Sequence, residues 1–186
     1  MSRVPLVDPS TTDGQRRASL DRIGVAFGTV PAMFRAVANS PAALQSMWGA
    51  FGAFSTGALG AALSEQIAVA VADRNKCHYC LAAHTALGLK AGLSKQQMRA
   101  AQGTDADDPR VRALLTFAVE LVDRRGAVEA DDIQRLRDHG WSDAEIVETI
   151  AQVALNLFTN YINIALDVPV DFPAVPLTSE SHAVAS

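Results

Sequence analysis

Both cysteines of this 186-residue chain fall within four residues, in Cys77-His78-Tyr79-Cys80, and a histidine follows at His84. A helix turns about 100° per residue, so with Cys77 at 0°, Cys80 falls at roughly 300° and His84 at roughly 340°. Positions three and four apart share a helical face, so the three side chains are expected on one arc of roughly 60°. The stretch Leu63–Gly92, LSEQIAVAVADRNKCHYCLAAHTALGLKAG, reads as a helix, a break at Asn75-Lys76, and a second helix that opens with the cysteines. Ser64 is the expected cap of the first helix, and Ile67, Ala68, Val71 and Ala72 form its apolar face. Glu65 stands near its start, but spacing alone does not bring it to His84.

The rest of the chain has the helical period and its punctuation. Residues 1–12, with Pro5 and Pro9, read as an N-terminal arm. Helices are expected over Asp13–Ala26, Pro31–Asn39 and Pro41–Phe54, the last with Leu44, Met47, Trp48, Phe51 and Phe54 spaced three and four apart as core or subunit interface. Beyond the cysteine helix come Lys95–Gln102 capped by Ser94, a helix from Pro109 to Arg125, and Glu129–His139. Ser142 and Glu145 form a capping box that opens a long helix, Asp143–Leu166. Along it Glu148, Gln152, Asn156, Asn160 and Asn163 make a polar stripe, expected as a solvated face, with a subunit contact or a pocket lining as alternatives. Pro169 and Pro173 end the ordered part, and residues 169–186, with His182, read as a tail. No segment alternates like a strand, so the fold class is all-α: one helical domain over residues 13–168, with the cysteine pair at the N-terminus of a central helix.

Composition narrows the function. The chain is 49% apolar, enough for a core, and its net charge of −4 argues against nucleic acid or anionic lipid as a partner. The N-terminus lacks the apolar run of an export signal, and no stretch reaches the ~20 apolar residues of a membrane span. A cytoplasmic location is expected. A close cysteine pair in that reducing compartment points to redox or metal chemistry rather than a structural staple. A thiol reacts as its thiolate, and the unpaired N–H groups and positive dipole of a helix N-terminus favour that anion. His84, one turn beyond Cys80, is placed to take a thiol proton, and a carboxylate such as Glu65 would orient the imidazole. A second thiol three residues away would condense with a sulfenic acid to give a disulfide. Two other readings are buried apolar cysteines, and zinc held by Cys77, Cys80 and His84 with Glu65 or His78.

The pattern Glu65-x11-Cys77-x2-Cys80-x3-His84 resembles the alkylhydroperoxidase D-like proteins of the carboxymuconolactone decarboxylase superfamily. GTVPAMFRAVANSP (Gly28–Pro41) and FTNYINIALDVPVDFP (Phe158–Pro173) look like its peroxidase-related branch, so the resemblance covers most of residues 20–173. It implies a thiol peroxidase acting on hydrogen peroxide or organic hydroperoxides, with Cys80 peroxidatic, Cys77 resolving, His84 the base and Glu65 its partner. It also implies a lipoylated or thioredoxin-like dithiol reductant, no metal, haem or flavin cofactor, and a homo-oligomer, trimer or hexamer. Met33, Phe34 and Phe51 would wall the peroxide pocket near a subunit boundary. This sequence departs from the best-studied members in having Tyr79, not histidine, directly before the second cysteine. The rivals are a non-enzymatic redox sensor or disulfide exchange module, and a decarboxylase-type lyase on the same scaffold.

Overall fold

The computed structural model describes residues 2–181. After a short 3-10 turn at Pro9–Thr11 the chain forms α1 (Gly14–Phe27), α2 (Ala32–Val37), α3 (Pro41–Phe54), α4 (Gly60–Arg74) and α5 (His78–Lys90). It continues through α6 (Lys95–Gln102), α7 (Pro109–Asp123), α8 (Ala130–Asp138), α9 (Asp143–Ala165) and α10 (Thr178–Ser181). Among the described residues there is no strand, as the sequence predicts. None of these helices is long and apolar enough to cross a membrane.

The core is built around α4. Gln66, Ile67, Ala68, Val69, Ala70, Val71 and Ala72 are buried in unbroken succession, so this helix is enclosed rather than amphipathic. Helices α5, α6, α7 and α9 all pack on it, and its alternating alanines and valines leave them room to approach. Residue Gly88 of α5 serves the same end: a Cβ there would lie 2.4 Å from Sδ of buried Met98 on α6.

Helix α4 starts one turn before the expected cap, at Gly60, whose φ is +71°. Ser64 lies inside the helix and donates its hydroxyl to the Gly60 carbonyl at 2.8 Å. The cap comes from α9: the Glu148 carboxylate accepts from the N–H groups of Ala58 at 2.7 Å and Leu59 at 3.3 Å. The carboxylate approaches so closely that a Cβ on Gly57 would lie 2.2 Å from Glu148 Oε1.

The polar stripe on α9 is likewise not a solvated face. Gln152, Asn156, Asn160 and Asn163 are buried, and Val147, Ile150, Tyr161 and Ile164 point outward instead. The reason is hydrogen bonding along α4. Gln152 donates to Ser64 Oγ at 3.0 Å, and Asn160 accepts from Asn75 Nδ2, just past the other end of α4, at 2.8 Å. Apolar side chains there would strand these groups without partners.

Residues 169–181, expected to trail away, pack back on the domain. Asp171 accepts from the Ala32 N–H at 2.6 Å, and Phe172 sets its ring edge-on to Tyr79 at 5.7 Å. Thr178 donates its N–H and its hydroxyl to Asp73 at 2.9 and 2.5 Å. The expectation for His182 lies outside the described residues. At the other terminus, Arg3 N–H donates to the Leu166 carbonyl at 2.7 Å, tying the arm to its own domain.

The Gly57–Glu148 contact predicts a non-additive pair. Gly57→Ala should lower stability by about 1–3 kcal/mol by displacing the Glu148 cap, and Glu148→Ala by about 1 kcal/mol. In the Glu148→Ala background the added cost of Gly57→Ala should fall below about 0.5 kcal/mol, read by urea denaturation of all four proteins.

Candidate active site

The site is made at the corner between α4 and α5. Asn75 ends α4, and Lys76 takes a left-handed conformation with φ +57°, which turns the chain back on itself. Cys77 is then extended, with φ −90° and ψ 91°, and serves as the N-cap of α5. It is therefore not in the first turn, and the helical-wheel angle does not apply to it. Its sulfur instead takes the role of a capping oxygen and accepts from the Cys80 N–H at 3.3 Å. This geometry brings the two sulfurs to 2.8 Å, with the Cys77 thiol donating to Cys80. Both residues are buried, with 1% and 2% of their surfaces exposed.

The same reversal makes α4 and α5 antiparallel neighbours and solves what spacing left open. Glu65, near the start of α4, meets His84, two turns into α5, with Oε2 at 2.7 Å from Nδ1. All four residues singled out from the sequence thus belong to one cluster. His84 and Cys80 line one cavity of about 30 Å³, room for roughly two water-sized molecules. Its remaining wall is apolar: Phe27, Met33, Phe34, Phe51 and Phe172, with the ring of Tyr79. The Tyr79 hydroxyl accepts from the Met33 N–H at 3.2 Å, which fixes the ring beneath the cavity; burial pushes this hydroxyl's pKa up.

The two thiols are electrostatically unequal. Burial is the largest influence on Cys80 and opposes its ionisation. The hydrogen bond from Cys77, the charge of His84 and the amides of Asn163 and Asn160 together outweigh burial and bring Cys80 down to about 7. Cys77 is pushed up, first by its hydrogen bond to Cys80 and then by burial and its neighbour's charge. For His84, burial favours the neutral ring, but the charge and hydrogen bond of Glu65, joined by Cys80, raise its pKa above the ordinary histidine value. The site is thus arranged to hold one thiolate, one thiol and an imidazolium backed by a carboxylate.

Asn160 and Asn163 answer to the pocket-lining alternative for the polar stripe rather than to its expected solvated face, and Tyr79 enters the sequence reading only as a departure from the best-studied members. Asn163 donates its Nδ2 to Cys80 Sγ at 3.2 Å, and Asn160 and Tyr79 stand beside it. The legible sign of the two asparagines was an amide stripe on an otherwise apolar helix. His78 is half exposed and turned to Glu180, with Nε2 at 3.5 Å from Oε1, away from the cysteine pair. Among the described residues no group of three or more histidine, cysteine, aspartate or glutamate side chains is placed to share a metal ion.

A family model described as the carboxymuconolactone decarboxylase family matches residues 41–120, which run from α3 into α7 and include the whole cluster. No similar curated protein was found. Among solved structures, the chain is similar to an uncharacterized peroxidase-related protein with an alkylhydroperoxidase AhpD core from Ralstonia eutropha JMP134. The two share 24% identity over 91% of this chain and 92% of that one, with a TM-score of 0.84. An uncharacterized peroxidase-related protein from Silicibacter sp. TM1040 is 26% identical over 90% of this chain and 91% of its own, with a TM-score of 0.78. The debrominase Bmp8, as a cysteine-to-alanine variant in complex with 2,3,4-tribromopyrrole, shares the fold at 18% identity. That match covers 92% of this chain and 94% of the other, with a TM-score of 0.76. Over residues 41–120 the chain thus matches the carboxymuconolactone decarboxylase family model, and as a whole it has the fold of the alkylhydroperoxidase AhpD core.

Proposed function

We propose that this protein is a thiol peroxidase that reduces hydrogen peroxide or an organic hydroperoxide through its cysteine pair. The observation that carries this reading is a single one: a buried dithiol, sulfurs 2.8 Å apart, whose acidic member opens onto a cavity shared with His84. The Cys80 thiolate attacks the distal peroxide oxygen. An S–O bond forms, the O–O bond breaks, and the leaving oxygen takes a proton from the His84 imidazolium. Glu65 holds that ring through Nδ1, which leaves Nε2 as the nitrogen that exchanges the proton. The Cys77 thiol then attacks the sulfenic acid, the disulfide forms and water departs. An external dithiol restores the pair. With both sulfurs buried, a slender reductant such as a lipoyl arm is better suited to reach them than a broad protein face. The exposed apolar residues Val147, Ile150, Tyr161 and Ile164 on α9 support a homo-oligomer.

A second reading rests on the aromatic cavity wall and on the debrominase among the fold relatives. The same dithiol would replace a halogen on an aromatic ring by hydrogen, giving the disulfide and halide. Bromide release from a bromopyrrole, measured beside peroxide consumption, separates the two.

Two outcomes are expected. With dithiothreitol as reductant, the parent should consume peroxide catalytically and Cys80→Ser should lose at least about 100-fold; in the absence of added thiol, Cys77→Ser should react once and hold a trappable sulfenic acid. Undiminished turnover in Cys80→Ser overturns the mechanism. Iodoacetamide alkylation of Cys80 should rise with pH to a midpoint near 7. The sign follows from the lowered pKa: the anion is present above the midpoint and is lost as pH falls through it. His84→Ala, by removing the favourable charge, should move the midpoint upward, and an unmoved midpoint would remove that role.

A further inference from the structure

The buried face of α9 that meets the cysteine pair carries no titratable group, only Thr159 and amides. Asn163 is 4% exposed and already donates its Nδ2 to Cys80 Sγ at 3.2 Å. Asn160, one helical turn earlier on the same face, is fully buried. Its Oδ1 is occupied by Asn75 Nδ2 at 2.8 Å, which fixes which end of the amide is free. The free end, Nδ2, has no hydrogen-bond partner, and it lies one turn along the same face from the amide that holds Cys80. A buried donor left without an acceptor is rare in folded proteins and calls for a reason. Here the reason is the charge state of the sulfur. A thiol sulfur is a weak acceptor, whereas a thiolate accepts strongly from several donors at once.

We propose that Asn160 and Asn163 form a two-amide cradle for the anionic sulfur of Cys80, with Asn163 holding it at rest and Asn160 completing the shell when the proton leaves. This deepens the peroxidase reading, which requires an anionic Cys80, but the cradle acts on the sulfur whatever the substrate. The titratable groups that bear on Cys80 are Cys77 from the α4–α5 corner, His84 on its own helix with Glu65 of α4 behind it, and Tyr79. Cys77 gives one hydrogen bond and His84 gives charge. The amides, which come from α9, supply donors that do not titrate, so they favour the anion at every pH. They also explain why Asn163, whose amide meets Cys80 rather than α4, faces inward.

The test is the pH midpoint of Cys80 alkylation by iodoacetamide, followed by peptide mass spectrometry in the full-length reduced protein. Folding of every variant is checked by circular dichroism and thermal melting. Asn163→Ala should raise the midpoint by about one unit or more, about tenfold slower labelling at pH 6, because hydrogen bonds to a charged group are stronger than neutral ones. Asn163→Leu, which keeps the shape and removes the donor, should raise it comparably, a shift not expected of a residue that only packs. Asn160→Ala and Asn160→Leu should each raise it by a smaller amount. Midpoints within about 0.3 unit of the parent in the folded alanine and leucine variants at both positions would overturn the cradle. If the alanine variants do not fold, the near-isosteric leucines decide alone. No peroxide enters the assay. A parent that labels as expected but does not turn over peroxide removes the peroxidase reading and leaves the cradle standing. Catalytic peroxide turnover with unmoved midpoints does the reverse.

Discussion

The turn at Asn75-Lys76-Cys77 is the constraint on which the remainder of the site depends. A non-glycine residue at positive φ is uncommon, and Lys76 adopts it at +57°. That one residue reverses the chain sharply enough for α5 to lie back along α4. The reversal leaves Cys77 extended at the N-cap and lets its sulfur cap the Cys80 N–H. Two consequences follow from one backbone feature. The sulfurs are brought to hydrogen-bonding distance, and an acid on the first turns of α4 is brought against a histidine well along α5. Neither contact requires a long-range coincidence once the corner is made.

Enclosing α4 sets the second condition. Helix α4 is enclosed along Gln66–Ala72, and its half-buried flanks carry backbone and side-chain polar groups that need partners. Helix α9 meets that need with a ladder of side chains: Glu148 at the N-terminal loop, Gln152 one turn on at Ser64, and Asn160 two turns beyond that at Asn75. Continued one turn further, the ladder arrives at Cys80. The chemistry of the thiol and the scaffolding of α4 are therefore two uses of one polar face.

Much of this was legible in the sequence, for identifiable reasons. Helix-stop glycines, prolines at first positions and Ser-x-x-Glu or Ser-x-x-Gln boxes are local signals, and α6 and the start of α9 fall where they predict. The nearness of Cys80 and His84 followed from helical spacing, and the place of Glu65 from the family motif, whereas Cys77 joins them from an extended N-cap that the helical period does not describe. What escaped required knowledge of the partner. Ser64 looks like a cap until a distant carboxylate is seen to fill that place. The amide stripe looks solvated because periodicity identifies a face but not which way the face turns; with a comparably apolar opposite side, only the hydrogen-bonding needs of α4 break the tie. The proline-rich stretch after α9 looks like a tail because its anchors, Asp73, Tyr79 and the Ala32 N–H, lie far away in sequence.

The inequality of the two thiols gives the dithiol a direction. Two sulfurs 2.8 Å apart in a buried place cannot both be anionic, since the second charge would face the first with little solvent between them. Whichever sulfur has more donors keeps the charge, and the other keeps the proton. Cys80 receives the Cys77 thiol, the Asn163 amide and the field of His84, whereas the Cys77 sulfur has backbone N–H groups, that of Cys80 first, and gives its own proton to Cys80. The asymmetry is thus built by the surroundings rather than by the Cys-x-x-Cys spacing, which treats the two residues alike. In the proposed cycle it makes Cys80 the attacking sulfur. It also keeps Cys77 protonated beside it, so that the proton which leaves with water when the disulfide forms is already on the resolving thiol.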